Sequence, residues 1–388
     1  MAPNPPLYLD HNATTALHPR ALAAMVEVYA QAGNPSSIHA AGRAARRQVE
    51  TARQAVASAV GLAARGELVF TGSGTEATHL ALLGSARRRI LLSAVEHDAT
   101  RAAAAFAEMR GAEIEVLAVD AGGRVRLDLL EACLAARPEP ALVSVMAANN
   151  ETGAIQPVAE IARLAHAHGA LFHCDAVQAF GKIPFDMAAL GIDLASLSAH
   201  KLGGPQGVGA LAVAPGVALK AQVGGGGQER GFRAGTENVA GIVGFGVAVR
   251  EAMSRLDDYA ALAGLRDRLE AALLALDPEA ASFGGGGPRL PNTLSIAMPG
   301  VPSQTQIMAF DLAGIAVSAG SACSSGKVRK SHVLVSMGVP EALAASAIRI
   351  SLGCGTEMGE IERMIEAWAA LRRRTKSSQG HDGLQETA

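Results

Sequence analysis

Short apolar runs alternate along this chain with stretches in which apolar residues recur every three or four positions, and Gly, Asn or Asp closes most of the runs. A short unbroken apolar run between polar turns predicts a strand buried on both faces, and the longer period predicts an amphipathic helix. Core strands are expected over residues 67–71, 90–93, 115–119, 142–147, 170–175, 194–198 and 209–213, with helices over 35–60, 75–85 and 157–168, the last capped by Gly169. Strand and helix in alternation predict an α/β fold around a mostly parallel central sheet. Past residue 250 the rhythm changes to a long helix over 252–276, strands over 292–298 and 316–319, and a final helix over 358–373, which predicts a smaller α+β unit. The expected division is a large domain over 15–255, a small domain of 1–14 with 256–375, and a flexible polar tail over 376–388. The four-glycine runs at 224–227 and 284–287 read as flexible connectors.

Composition narrows the function class. With 388 residues, 49% hydrophobic and 18% charged, the chain can bury a large core. A net charge of −2, with both signs interspersed, provides no basic field for phosphate backbones, so nucleic acid is not expected as a partner. The arginine runs at 87–89 and 372–374 each follow a predicted helix, where cations complement the helix dipole, and so read as structural. No basic region precedes an apolar core at the start and no run is long enough to span a bilayer, so a cytoplasmic protein without membrane contact is expected. The four cysteines, Cys133, Cys174, Cys323 and Cys354, are far apart with no CxxC. That spacing suggests neither a zinc knuckle nor a disulfide framework and leaves a single reactive thiol open.

Candidate chemistry sits at strand ends. In LFHCDAVQ (171–178), Asp175 ends a predicted buried strand, where open α/β sheets place ligands, and its burial demands a cationic partner; a helix cap or salt bridge would satisfy the same pattern. His166 and His168 lie on opposite sides of a helix, and Cys174 faces away from His173 and Asp175, so no metal site is expected in this segment. In SLSAHKLGG (196–204), Lys201 follows a strand and enters a glycine-rich loop: either a solvated loop lysine or a partly desolvated amine of the kind that condenses with carbonyl cofactors. Lys201 with an upstream Asp175 gains weight, because pyridoxal phosphate chemistry needs an amine for the aldehyde and an acid for the pyridine nitrogen. GSGT (72–75), between a strand and a helix, offers free N–H groups to an anion and is not a Walker loop. Cys323 lies in the small polar run SAGSACSSGK (318–327), where a thiol is accessible, whereas Cys133, Cys174 and Cys354 read as packing residues.

Taken together and in order, YLDHNATT (8–15), FTGSGTEA (70–77), EH (96–97), NNETG (149–153), HCDAVQ (173–178), SAHK (198–201), RAGTEN (233–238), GSACSSG (320–326) and IRISLG (348–353) resemble the cysteine desulfurases, and within them the NifS/IscS group that supplies sulfur for iron-sulfur clusters. The match runs from Tyr8 to about Trp368. The resemblance implies the fold-type-I architecture of pyridoxal phosphate-dependent transferases and a homodimer. It implies that Lys201 carries pyridoxal 5′-phosphate, that Asp175 pairs with the ring nitrogen, and that Gln178 reaches the ring oxygen. His97 would stack on the ring and move protons, with Asn150 beside ring and substrate. Gly74, Thr75, Ser198 and His200 would hold the phosphate, joined by Thr236 from the neighbouring subunit. Arg349 would take the carboxylate of L-cysteine as a bidentate fork. Cys323 would attack the substrate sulfur, leaving L-alanine and a persulfide for an iron-sulfur scaffold or other acceptor protein; no metal is implied in the free enzyme, with Cys323 contacting a cluster only during transfer.

Residues 327–330 (Lys, Val, Arg, Lys) depart from the leucine, acidic residue and proline usual there, which bears on the acceptor; Gly74 stands where alanine is common. Two readings compete: a selenocysteine lyase or aminotransferase of the same cofactor class, against which Cys323 argues, and a non-catalytic sulfur carrier or interaction protein, against which the retained Lys201, Asp175, His97 and Cys323 argue.

Overall fold

The computed structural model describes residues 6–320 and 330–382. The chain opens with a two-residue strand, β1 (Leu7–Tyr8), and two helices, α1 (Pro19–Tyr29) and α2 (Ala40–Ala59). Histidines at the N-caps start both helices: the rings of His18 and His39 accept from the amides of Arg20 and Gly42. The expected helix over 35–60 therefore begins only at Ala40.

Strands and helices then alternate: β2 (Glu67–Thr71), α3 (Gly74–Gly84), β3 (Arg89–Ser93), α4 (Asp98–Met109), β4 (Glu113–Leu117), α5 (Leu127–Ala136), β5 (Ala141–Ser144), α6 (Val158–Ala167), β6 (Leu171–Asp175), β7 (Leu194–Ser198) and β8 (Gly209–Val213). These strands form one sheet in the order β2-β8-β7-β6-β5-β3-β4, in which only β8 runs antiparallel to its neighbours. Every residue of β3, β5, β7 and β8 is buried, as expected of predominantly apolar strands covered on both faces. β4 begins two residues earlier than its apolar run indicates, because it is an edge strand: Glu113 and Glu115 belong to it and pair outward with Arg137 and Arg89. Arg89, only 1% exposed, also donates to the carbonyls of Cys133 and Arg137, so this arginine closes a helix end and a strand edge.

The expected long helix over 252–276 is two helices. α7 (Val239–Met253) ends at Ser254, and α8 (Leu256–Leu276) starts anew. α7 escapes a periodicity reading because it is apolar on every side and rich in glycine. Those glycines permit close packing: a Cβ on Gly246 would stand 2.8 Å from Cα of Ala52 in α2.

The remaining elements are β9 (Ala281–Phe283), β10 (Thr293–Ala297), α9 (Ser303–Leu312), β11 (Ile315–Ala316), β12 (Ser318–Ala319), α10 (His332–Ser336), α11 (Glu341–Ala344), β13 (Ala347–Ser351) and α12 (Met358–Asp382). The strand expected over 316–319 is divided at Val317: β11 pairs with β1, while β12 joins the antiparallel sheet β12-β13-β10-β9. Around that sheet a second core forms, where Trp368 of α12 stacks on Phe310 of α9 with ring centroids 6.3 Å apart and Leu7 and Leu9 pack among them. α12 continues to Asp382, past the expected end at 373, so part of the expected tail is helical; residues 383–388 lie outside the described residues. Arg372 is buried and donates to Asp277 and to the Pro299 carbonyl, again a structural arginine. The glycine run at 284–287 is not a plain connector, since a Cβ on Gly284 would stand 2.5 Å from the Thr152 carbonyl oxygen.

Residues 9–12 join the two cores. The Leu9 and His11 amides bond to Ala316 and Ser351, Asn12 Nδ2 donates to Thr293 Oγ1 at 2.8 Å, and the Asn12 carbonyl faces the large sheet. Among the described residues no helix is long and apolar enough to cross a membrane.

Candidate active site

A cavity of about 460 Å³ opens beyond the carboxyl ends of β6 and β7. Strand geometry carries Asp175 and Ser198 to its floor, and the single 3-10 turn Ala199–Lys201 swings Lys201 into it. His97, Gly74, Thr75, Asn150, Gln178, His200 and Arg349 line the same cavity. Of the site residues expected from sequence, only Thr236 and Cys323 are not placed there. Thr236 lines a separate cavity of about 110 Å³ beside Gly72 and Arg233. Cys323 lies outside the described residues, whose chain stops at Gly320 and resumes at Lys330.

One wall is the N-terminus of α3. Ser73 caps it by accepting from the Glu76 amide at 3.1 Å, and Glu76 reaches back to the Gly72 amide at 2.7 Å, a capping-box arrangement. The first-turn N–H groups at Gly74 and Thr75 have no carbonyl partner within the helix and point their dipoles at the cavity. The turn is pressed against β8: a Cβ on Gly209 would stand 2.7 Å from the Gly74 nitrogen. At Gly74 itself a Cβ would be 3.1 Å from both Ser198 and Val177 side chains, a tight fit that the glycine avoids.

Lys201 Nζ donates to the carbonyls of Asn12 and Ala13, each at 2.7 Å. Burial and the nearby Arg349 guanidinium bring its amine down from 10.5 to about 8, against the opposing pull of Asp10 and Asp175. The cationic partner expected for Asp175 is not found: this carboxyl is 7% exposed, accepts from the Val177 amide at 3.0 Å, and forms no ion pair among the described residues. Burial pushes its pKa up, partly offset by His97 and Lys201. A buried acid that faces the cavity and forms no ion pair among the described residues fits a ligand that brings its own N–H.

Arg349 projects from β13 and is 3% exposed. Its Nη2 pairs with Asp10 at 2.6 Å and its Nη1 donates to the Asn150 carbonyl at 3.1 Å, while Nε is buried without a partner among the described residues. Asp10 also accepts from Ser318, and the buried Glu151 accepts from Ser331 at 2.5 Å, so the chain on both sides of residues 321–329 is tied down close to Arg349. His97 caps α4 by accepting the Ala99 amide on Nδ1 at 3.1 Å, which places its ring proton on Nε2. His200 touches Thr14 and is brought down to about 4 by burial and by Lys201 and Lys182, so its ring is neutral.

Three partners escaped the sequence reading. Asp10 and Asn12 stand in the YLDHNATT motif, which signalled importance without assigning either residue a task. Lys182, 2% exposed, donates to Gln178 and Asn12. Cys354 is half-buried and lines a cavity of about 170 Å³ that also reaches Lys201 and Arg255. Cys174 is fully buried. His166 pairs with Asp193 at 2.9 Å.

Residues 7–364 match the class-V aminotransferase family. The cysteine desulfurase of Cereibacter sphaeroides is 46% identical over 93% of this chain and 94% of its own. The cysteine desulfurase NifS of Azotobacter vinelandii is 40% identical over 92% and 90%. Among solved structures, the NifS-like protein from Rickettsia africae superposes with a TM-score of 0.87 at 38% identity, covering 94% of this chain and 98% of its own.

Proposed function

The chain belongs to the class-V aminotransferase family and is a cysteine desulfurase dependent on pyridoxal 5′-phosphate; from that premise we propose how its residues divide the work on L-cysteine. The carrying observation is the cavity itself, where an amine lowered to about 8, a buried acid that forms no ion pair among the described residues and the open N-terminus of α3 face one another.

The cofactor, when bound, supplies a ring that accepts the electron pair left as the substrate loses its α-proton. Asp175 holds the ring nitrogen protonated, and Gly74, Thr75, Ser198 and His200 hold the phosphate; a neutral His200 suits a hydrogen-bonding task. Lys201, part of it uncharged at neutral pH, is the amine that engages the aldehyde. Gln178 reaches the ring oxygen and Asn150 borders ring and substrate. Arg349 binds the substrate carboxylate, and its unpartnered Nε supports that role. His97 moves protons through Nε2. Cys323, as thiolate, attacks the sulfur of L-cysteine: an S–S bond forms, the carbon–sulfur bond breaks with its electrons going to carbon, that carbon takes up a proton, and the carbon skeleton leaves as L-alanine. The persulfide passes to an acceptor protein for iron-sulfur cluster assembly, a role supported by relatives named IscS and NifS. The protein acts as a cytoplasmic homodimer in which Thr236 completes the neighbour's phosphate site, consistent with its position outside its own cavity. Residues 15–255 make the large domain, and 1–14 with 256–375 the small one, a division supported by the second core, where Leu7 packs with Trp368.

The test is spectroscopic and chemical. The purified protein is expected to show the visible band of bound cofactor and, with L-cysteine and a reductant, to release sulfide and alanine. Cys323→Ala should keep the band and lose sulfide release, and Lys201→Ala should lose the band. Wild-type sulfide release from Cys323→Ala would refute the thiol assignment.

A further inference from the structure

Lys182 is buried in the loop after β6, with 2% of its surface exposed, behind Gln178 and Asn12, which line the cavity while Lys182 does not. Its Nζ donates to Gln178 Oε1 at 2.7 Å and to Asn12 Oδ1 at 2.9 Å, and no carboxylate pairs with it among the described residues. The Gln178 carboxamide has its oxygen occupied by this amine, and its Nε2 donates one hydrogen to the Asn12 carbonyl at 3.0 Å. Rotating the amide by half a turn would set its oxygen against the Asn12 carbonyl, a repulsive contact in a buried place, and would take from the Lys182 amine one of the two oxygens it donates to. The carboxamide is therefore locked, and what it has left for the cavity is one N–H.

We propose that Lys182 is a positioning residue: its buried amine fixes Gln178 as a hydrogen-bond donor toward the cavity, so that the site favours an anionic oxygen on the ring of the bound cofactor. This rests on the reading that the cavity holds pyridoxal 5′-phosphate. Asn12 is held in the same way, because its Oδ1 also accepts from Asn292 and its Nδ2 is spent on Thr293 and the Asn150 carbonyl. Lys182 thus sets the polarity of the wall from which the Lys201 amine hangs. The charged and titratable groups facing it are Lys201, Arg349 and Cys354, with His11 and His200 also within its field.

The experiment is a pH titration of the visible band of the cofactor-loaded protein. Without an N–H at the ring oxygen, the bound cofactor holds its proton more tightly, so Lys182→Met should bind cofactor through its intact Lys201 and show a midpoint about one pH unit higher. In a Gln178→Ala background the same substitution should add no further shift, because Lys182 acts through Gln178. Lys182→Gln, whose amide still donates, should keep the wild-type midpoint. An unshifted Lys182→Met, a shift that persists in Gln178→Ala, or a Lys182→Gln shifted as far as Lys182→Met would overturn the assignment. If Lys182→Met does not fold, a Gln178→Ala protein with the wild-type midpoint overturns it alone. A wild-type protein with no visible band would sink the cofactor reading itself, a result distinct from a band that is present and does not move.

Discussion

Cofactor capture by Lys201 should carry the imprint of its surroundings in its pH dependence. A solvated lysine amine titrates at 10.5, and burial beside Arg349 brings Lys201 to about 8. At pH 7.5 this leaves about a quarter of the amines uncharged, against about one in a thousand for a solvated lysine, a gain of about two hundredfold in the reactive form. The assay is the rate at which the visible band appears when pyridoxal 5′-phosphate is added to cofactor-free protein at a series of pH values. Dividing by the rate for N-acetyl-lysine cancels the titration of the cofactor itself. The expected ratio exceeds unity by about two orders of magnitude near neutrality and falls as pH passes the Lys201 midpoint, where the free lysine begins to catch up. Two substitutions should move that midpoint in opposite senses. Arg349→Met removes the cation that depresses it and frees Asp10, which raises it, so the midpoint climbs and neutral-pH capture slows. Asp175→Asn removes an acid that raises it, so the midpoint falls below that of the wild type. A ratio flat with pH, or two substitutions shifting the midpoint in the same direction, would refute the account of why this lysine is reactive.

Gly209→Ala should displace the Ser73–Gly74 turn, because its Cβ would lie 2.6 Å from the Ser73 oxygen. Cofactor affinity, measured by titrating cofactor-free protein, is expected to drop about tenfold or more, with about 1–3 kcal/mol lost in a urea melt; undiminished affinity would mean that this turn does not hold the phosphate. Glu96, fully buried behind the site, has its carboxyl raised from 4.5 to about 8 by burial, against the hydrogen bonds from Ser93 and the Met146 amide and with a further push from Asp175. Between those values the unfolded chain has released a proton that the folded one retains, so this group's contribution to stability declines as pH rises through that window. Glu96→Gln, which keeps an acceptor for the Met146 amide, should therefore gain on the wild type between pH 5 and 8, on the order of 1–3 kcal/mol, in paired urea melts. A gap that narrows with rising pH would reverse the sign of this argument.

The parts of the fold that could be read from sequence are those whose burial is decided locally. β2, β7 and β8 fall where their apolar runs lie, since a strand covered on both faces is predominantly apolar. Where an element has mixed surroundings the pattern misleads: β4 carries glutamates on a sheet edge, α7 replaces an apolar stripe with glycines that let α2 approach, and 315–319 serves two sheets from adjacent dipeptides. The same boundary divides the site. Lys201, Asp175 and the α3 turn were legible because strand ends and helix starts bring them to the sheet's edge by local geometry. The partners were not. Asp10 meets Arg349 across 339 positions, and Lys182 meets Asn12 across 170. Residue type and spacing determine which groups can donate, accept or carry charge. Only chain closure in three dimensions decides which donor faces which acceptor, and that decision turned a glutamine into a directed N–H and a lysine into an amine titrating near neutrality.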